Sequence, residues 1–201
     1  IAFTPDGKTV ISGSRDNTIK AWDLKTGEVK LTFEGHNDWV NAIAVTPDGK
    51  TVISGSVDKT IKAWDLATGE VKLAFERHTG SVKAIVVTPD GKTVISGSSD
   101  KTIKVWDLET GTEKLTLSGH SNWVNTVTIT PDGKTVISGS DDKTIKTWDL
   151  TTGNKVATFT GESPILAVAS DGVTIVAGEA SGTLHFLRLQ ERGSGRINVI
   201  A

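Results

Sequence analysis

The decapeptide PDGKTVISGS at residues 5–14 returns without a change at residues 47–56, 89–98 and 131–140. A Trp-Asp-Leu tripeptide follows each copy and begins at Trp22, Trp64, Trp106 and Trp148, so the pattern repeats every 42 residues. A fifth, diverged copy has Asp171-Gly172 at the turn and Leu187 in place of the tryptophan. A fixed period of this length is the signature of a repeat architecture, so the fold must be derived from one unit.

Each unit contains four short apolar segments with the composition of strands. In residues 35–75 these segments cover 39–46, 51–56, 60–66 and 70–75, and they are rich in Val, Ile and Thr. Pro47-Asp48-Gly49 supplies the fixed φ, the side-chain acceptor and the permissive glycine of a tight turn. Because no segment has helical spacing, we predict four antiparallel strands per unit and an all-β fold.

The sequence resembles the WD-repeat β-propeller family in the residues that open and close each unit. Gly35-His36 and Gly119-His120 open units two and four, Arg77-His78 opens unit three, and Trp64-Asp65 lies near the end of unit two. The resemblance implies one domain, a β-propeller of five four-stranded antiparallel WD-type blades at about 1–34, 35–76, 77–118, 119–160 and 161–201. The repeats are also similar to bacterial propellers with near-identical units, including the C-terminal propellers of large signalling proteins.

Five units raise a question of closure, since rings of this family most commonly hold seven blades. An open arc leaves strand edges and apolar faces uncovered. Three arrangements would cover them: a closed ring of five blades, an arc completed by oligomerisation, or further blades in a longer parent chain. Because the sequence contains no methionine, we also expect that Ile1 is not the start of translation.

Composition excludes several functional classes. The formal net charge of −2 offers no positive field for nucleic acid or an anionic membrane. No cysteine is present, so disulfides and thiolate metal sites are excluded. No apolar run has the length of a membrane span and no signal peptide is visible, and we expect a cytoplasmic protein. Motifs for zinc, nucleotide or EF-type calcium sites are missing, so we expect no cofactor.

A Ser-His-Asp combination recurs in units two to four, and it invites comparison with hydrolases. The resemblance implies a structural role instead, in which each aspartate, histidine, serine and tryptophan form one buried chain of hydrogen bonds. The sets are His36, Ser54, Asp58 and Trp64; His78, Ser96, Asp100 and Trp106; and His120, Ser138, Asp142 and Trp148. Unit one has no histidine, and unit five, with Glu162 in its place, is expected to lack the network.

The resemblance also implies a set of partner-facing positions at one rim of the propeller. They are Trp39, Asn41, Lys83, Trp123, Asn125, Arg15 and Asp141, with Ser81, Val57 and Ser99 at the corresponding places of other units. Trp39 and Trp123 are the strongest candidates, because exposed tryptophan is a frequent energetic anchor at interfaces. The alternatives are that both rings pack against neighbouring loops and that Arg15, Lys83 and Asp141 are plain solvated charges.

From these positions we expect a non-catalytic scaffold or sensor module that binds a protein or peptide on one rim. The alternative is a lectin-like propeller with several equal sugar sites between blades, which would gain affinity through valency. A hydrolase is the third hypothesis, and it requires one network serine to be reactive.

The C-terminal residues allow two interpretations. Residues 192–195 have the composition of a flexible connector. Residues 197–201 match the start of an inner strand, so they could supply what unit one lacks and close the ring. Otherwise they form the outer strand of unit five or begin a further repeat.

Overall fold

The computed structural model describes residues 1–192 and 196–200, with side-chain placement for residues 1–189. Within these residues the chain forms five four-stranded antiparallel sheets, one from each unit and in chain order. The all-β prediction with four strands per unit is confirmed. The strands are β1 (Ala2–Phe3), β2 (Thr9–Gly13), β3 (Ile19–Asp23), β4 (Val29–Phe33), β5 (Val40–Val45), β6 (Thr51–Ser56), β7 (Ile61–Asp65), β8 (Val71–Phe75), β9 (Val82–Val87), β10 (Thr93–Ser98), β11 (Thr102–Asp107), β12 (Glu113–Ser118), β13 (Val124–Ile129), β14 (Thr135–Ser140), β15 (Thr144–Asp149), β16 (Lys155–Thr160), β17 (Ile165–Ser170), β18 (Thr174–Glu179), β19 (Leu184–Arg192) and β20 (Arg196–Ile200).

The repeated Thr-Pro-Asp-Gly sequence forms the turn between the first and second strands of each of the first four sheets. In sheet 2 the Thr46 hydroxyl donates to Asp48 Oδ1 at 2.6 Å and accepts the Thr51 N–H at 3.1 Å. Gly49 has a φ of 69°, in the left-handed region that glycine enters without steric cost. The turn therefore fixes the register of the strands on either side of it.

Consecutive sheets stack face to face, and a tryptophan fills the centre of each of the first three interfaces. Trp64 of sheet 2 packs on Ile11, Ile19 and Phe33 of sheet 1. Trp106 and Trp148 occupy the same place in the next two interfaces, and all three indoles are at most 1% exposed. In the fourth interface, Leu187 takes this place.

The sheets approach so closely that the second strand needs a glycine. A Cβ at Gly55 of sheet 2 would lie 2.5 Å from Val82 Cγ1 and 2.8 Å from Ile85 Cδ1 of sheet 3. Gly13, Gly97 and Gly139 meet the following sheet in the same way. The invariant Ser-Gly-Ser of the repeat therefore reflects a packing requirement between units.

Within the part of the chain that the structure describes, the first and last sheets each keep one uncovered face. On sheet 1 this is the face of Trp22, which is partly exposed where the equivalent indoles are buried. On sheet 5 it is the face of Leu184 and Phe186, which are 60% and 65% exposed. In the other sheets, the equivalent faces are covered by an adjoining sheet.

Residues 196–200 form β20, the fourth strand of sheet 5, paired antiparallel with β19. This is the outer-strand arrangement of the two that the sequence allowed. Of the connector predicted at residues 192–195, Arg192 lies in β19 instead, and residues 193–195 lie outside the described residues. Among the described residues, no helix is long and apolar enough to span a membrane.

Candidate functional site

The four residues of the recurring set lie in one continuous chain of hydrogen bonds. In unit two, Trp64 Nε1 donates to Ser54 Oγ at 2.7 Å, Ser54 Oγ lies 2.6 Å from His36 Nε2, and His36 Nδ1 lies 2.8 Å from Asp58 Oδ2. The corresponding distances are 2.9, 2.7 and 2.7 Å in unit three, and 2.9, 2.8 and 2.8 Å in unit four. The network ties the second and third strands to the loop that enters the first.

The direction of each bond follows from the chemistry of the groups. Asp58 as a carboxylate only accepts, so His36 donates from Nδ1 and must accept at Nε2 from the Ser54 hydroxyl. Burial lowers the pKa of His36 below its ordinary value, although the hydrogen bond to Asp58 opposes this shift. The imidazole is therefore neutral at neutral pH, and every polar atom of the network has a partner.

Burial also affects the pKa of the Asp58 carboxyl, but hydrogen bonds shift this pKa further in the opposite direction. Burial raises the pKa, while hydrogen bonds from the Thr60 hydroxyl, from the N–H groups of Asn37 and Thr60, and from His36 lower it to about 2. The carboxylate stays ionised because several donors surround it. Asp142 has the same surroundings and also a pKa of about 2.

The geometry does not suit nucleophilic catalysis. Ser54, Ser96 and Ser138 are completely buried, and each serine oxygen already lies within hydrogen-bond distance of an indole nitrogen and an imidazole nitrogen. A triad serine has to reach a substrate carbonyl beside oxyanion donors. The network is therefore suited to holding the strands and the entry loop together.

Units one and five depart from this arrangement. In unit one, Trp22 Nε1 donates to Ser12 Oγ at 2.8 Å, and unit one has no histidine to continue the chain. In unit five, the expectation that the network is absent was incomplete. His185 Nε2 lies 2.8 Å from Glu179 Oε1, which also accepts the Glu162 N–H at 2.9 Å.

The replacement network of unit five places its groups at new positions. Its acid lies on the second strand and its histidine on the third, whereas the other units hold theirs in the turn and the entry loop. His185 packs edge-on against Phe159 of sheet 4, with the ring centroids 4.9 Å apart. Hydrogen bonds, above all that from His185, hold the pKa of Glu179 at about 2. A carboxylate–histidine pair thus couples sheet 5 to its neighbour.

The seven residues with predicted partner contacts lie at one end of the sheets, which we call the tryptophan rim: Arg15, Trp39, Asn41, Lys83, Trp123, Asn125 and Asp141. Trp39 and Trp123 are 44% and 46% exposed. The Arg15 guanidinium carbon lies 4.4 Å from the centre of the Trp39 ring, and Lys83 Nζ lies 4.5 Å from that of Trp123. Arg15 and Lys83 therefore stack on indoles of the following unit.

Three of these residues occupy β-bulges in the inner strands. The register of β5 with β6, of β9 with β10 and of β13 with β14 shifts at Asn41, Lys83 and Asn125, respectively. A bulge turns the side chain of the extra residue away from the regular alternation. Each of these side chains reaches the next unit, which the sequence pattern did not reveal because a bulge adds no distinctive residue.

The two asparagines bind the neighbouring backbone. Asn41 Nδ2 donates to the Val82 carbonyl at 3.1 Å, and Asn125 Nδ2 donates to the Ile165 carbonyl at 3.1 Å. Asn125 also donates to Asp141 Oδ1 at 2.5 Å. The tryptophan rim is thus continuous from unit one to unit five through contacts between consecutive units.

The other residues at corresponding positions contribute less to this surface. Ser81 replaces the tryptophan in unit three and receives a 3.4 Å contact from Asn41 Nδ2. Val57 and Ser99 lie in the turns between second and third strands, where their N–H groups donate to the carbonyls of Trp39 and Ser81. Within the described part of the chain, no group of three or more metal-ligating side chains comes together.

Comparison with known proteins agrees with this repeat structure. The family model described as WD domain, G-beta repeat matches residues 1–23, 27–65, 69–107 and 111–149. An uncharacterized WD repeat-containing protein of Nostoc sp. is 43% identical over 42 residues, which are 21% of this chain and 3% of that protein. A probable serine/threonine-protein kinase of Thermomonospora curvata is 45% identical over 42 residues, or 21% of this chain and 6% of the kinase.

A Lissencephaly-1 homolog of Caenorhabditis briggsae is 46% identical over 43 residues, which are 20% of this chain and 11% of that protein. The matched stretches are thus about one repeat long and cover a small part of each relative. The family model, by contrast, matches most of this chain, and its boundaries recur with the 42-residue period. The chain belongs to the WD40 repeat family.

Proposed function

We propose that this chain is a non-catalytic interaction module that binds a protein or peptide on the tryptophan rim. WD40 repeats are typically protein-interaction scaffolds. The observation that carries the proposal is the exposure of Trp39 and Trp123, at 44% and 46%, beside core tryptophans that are buried. Large amphipathic rings at the surface bury much apolar area on binding at little cost in side-chain entropy.

The rim also has the rigidity that a binding surface needs. Asn41 and Asn125 hydrogen-bond to the backbone of the next unit, and Arg15 and Lys83 hold the two indoles from neighbouring units. A surface held in one geometry loses less entropy on binding than a mobile one. These contacts support recognition across units rather than within one of them.

The test is a double variant, Trp39→Ala with Trp123→Ala, assayed against a random peptide display library. We expect its melting temperature to stay near that of the parent chain and its capture of peptides selected on the parent to be lost. A matched control is Val29→Ala with Val71→Ala, because these valines are both 44% exposed but lie on outer strands. Equal loss of capture in both pairs, or a collapse of melting in the tryptophan pair, would contradict the proposal.

We further infer that the five sheets are blades of a propeller whose end faces are covered in the assembled protein. The support is the uncovered pair of faces, Trp22 on sheet 1 and Phe186 on sheet 5, of the kind that stack in every internal interface. Closure of a five-bladed ring and association of chains both satisfy this requirement. The similarity of one unit to a kinase bearing that family's repeat supports a further proposal, that the module serves as a sensor in a larger bacterial signalling protein.

Repeated pockets at the opposite end favour the lectin-like alternative. Thr, Pro and Asp of one unit and Asp and Gly of the next line three similar pockets of 250–420 Å³. A sugar could pack against the proline while the carboxylates accept hydrogen bonds from its hydroxyl groups. A glycan array distinguishes the two functions, because binding there should survive loss of both rim tryptophans and should involve several equal sites.

A further inference from the structure

The two cations stacked on the rim tryptophans have no acidic partner among the described side chains, and each lies beside an exposed indole. Among the described side chains, Lys30, Lys72, Lys104 and Lys114 form ion pairs with carboxylates. No described carboxylate lies within 4.0 Å of the charged nitrogens of Arg15 or Lys83, and each of these cations lies over an indole instead. Their charges are therefore available to a ligand.

Stacking prepares these cations for a carboxylate. An indole face covers one side of each cation. The N–H groups at the edge of the exposed Arg15 guanidinium remain open to solvent, and the partly exposed Lys83 ammonium carries three donors. A guanidinium held in this way loses little freedom when it forms charge-assisted hydrogen bonds. The arrangement places an anion-binding group directly beside an exposed apolar ring, and it occurs twice on the same rim.

The nearby acids of the rim are already engaged. Asp141 Oδ1 accepts from Asn125, and Asp38 Oδ1 accepts the Trp39 N–H at 2.8 Å. The turn aspartates Asp16, Asp58, Asp100 and Asp142 accept from the hydroxyl groups of Thr18, Thr60, Thr102 and Thr144, and Glu179 accepts the Glu162 N–H. Glu34, Glu76 and Glu162 lie in the connections that follow the outer strands. Three exposed lysines, Lys59, Lys101 and Lys143, lie in the turns of the same rim and form no ion pair with a described carboxylate.

We propose, resting on the proposed function, that the tryptophan rim binds an acidic peptide segment in an extended conformation. Two of its carboxylates pair with Arg15 and Lys83, and apolar side chains between them lie against Trp39 and Trp123. Ser81, in the unit between the two indoles, leaves room for the peptide to pass. A long polyanion fits less well, because the chain as a whole has a net charge of −2 and repels it beyond the rim.

The experiment selects ligands without assuming their sequence. Dodecapeptides are selected from a random display library on the full chain, synthesised, and measured by fluorescence anisotropy against three pairs of variants. The first pair, Arg15→Gln with Lys83→Gln, removes the two cations. The second, Trp39→Ala with Trp123→Ala, removes the indoles. The third, Lys8→Gln with Lys50→Gln, removes two exposed lysines from the turns at the opposite end and serves as the charge control.

We expect selected peptides rich in Asp and Glu with interspersed apolar residues. The Arg15→Gln, Lys83→Gln variant should bind these peptides about tenfold or more weakly for each lost contact, whereas the charge control should bind them as the parent chain does. Added salt should weaken binding to the parent chain. Neutral or basic peptides that need the tryptophans but not the cations would overturn this inference and leave the proposed function standing. Peptides indifferent to the tryptophans would overturn both.

Discussion

At the residue scale, one backbone position has a conformation that its side chain does not favour. Lys59, Lys101 and Lys143 have φ values of 72°, 73° and 66°, in the left-handed region. Unit one carries Asn17 at the same position, with a φ of 70°. Asparagine tolerates this region because its side chain bonds locally, whereas other residues pay roughly 1–2 kcal/mol for it.

We therefore predict that Lys101→Asn raises the free energy of unfolding by roughly 0.5–1 kcal/mol. Urea denaturation monitored by tryptophan fluorescence measures the change. The reverse substitution, Asn17→Lys, should lower stability by a similar amount. Equal stabilities for Lys101→Asn and the parent chain would show that the surrounding turn removes the strain.

A buried hydroxyl without a partner gives a second residue-scale prediction. Among the described side chains, Thr147 Oγ1 is the buried polar atom that finds no hydrogen bond. Unit three has Val105 at this position, also buried. Because an unsatisfied buried donor costs about 1–3 kcal/mol, Thr147→Val should raise the melting temperature, and Val105→Thr should lower it. A loss of stability in Thr147→Val would mean that the hydroxyl has a role the packing does not show.

The networks predict how stability depends on pH. The pKa values of His36 and His120 are lowered from 6.5 in the folded chain, so on acidification the unfolded chain takes up these protons first. Stability should therefore be full above pH 6.5 and fall as pH drops below it. Asp58 and Asp142, whose pKa values fall from 3.8 to about 2, add a second loss below about pH 4. Chemical denaturation across this range measures both steps, and a constant stability between about pH 7.5 and pH 5 would contradict the neutral-imidazole assignment.

At the scale of the element, the position of a sheet in the array decides what its tryptophan contributes. Trp64 is fully buried between two sheets, whereas Trp22 lies on an end face and is partly exposed. We predict that Trp64→Ala costs about 3–5 kcal/mol through the cavity and the lost hydrogen bond. Trp22→Ala should cost clearly less. Differential scanning calorimetry of the two variants provides the comparison, and equal losses would show that the end face is covered in solution.

The sequence predicts the structure within one unit well, but it does not predict the contacts between units. The strands, the turns and the composition of the networks follow from one unit, because four copies repeat it. The bulges at Asn41, Lys83 and Asn125 could not be predicted, since a change of register leaves no mark on the alternation of residue types. The pairing of Arg15 with Trp39 depends on how closely two sheets stack, which no single unit specifies.

Unit five shows another limit of prediction by repeat. Alignment through Asp171 places Ala177, Ser181 and Leu187 at the positions of the network serine, aspartate and tryptophan. Of these three, Ser181 is the one that can form hydrogen bonds, and it donates to Glu179 Oε2 at 3.0 Å. The structure builds a substitute from Glu179 and His185, whose positions carry serine and lysine in the other units. Assigning network residues by alignment with the other units therefore fails where the acid and the histidine lie at different positions of the same sheet.

At the scale of the whole molecule, the uncovered faces of sheets 1 and 5 predict either a closed ring or an association of chains. Gly178 of sheet 5 corresponds to Gly55, but among the described side chains a Cβ there would meet Leu184 Cδ2 alone, at 3.6 Å. Light scattering over a dilution series should give either a constant mass near 21.2 kDa, as a closed ring requires, or a multiple of it, as association of open arcs requires. A monomer in which Gly178→Ala and Trp22→Ala are both harmless would contradict coverage of the end faces.

The internal interfaces have one further consequence, for how such a chain changes over generations. Because Trp64, Trp106 and Trp148 sit in nearly the same surroundings, removal of residues 77–118 would bring together two faces that already match. The near identity of the units at the level of sequence also favours unequal recombination between them. The array can thus lengthen or shorten in steps of 42 residues, inheriting a working interface each time rather than having to evolve one.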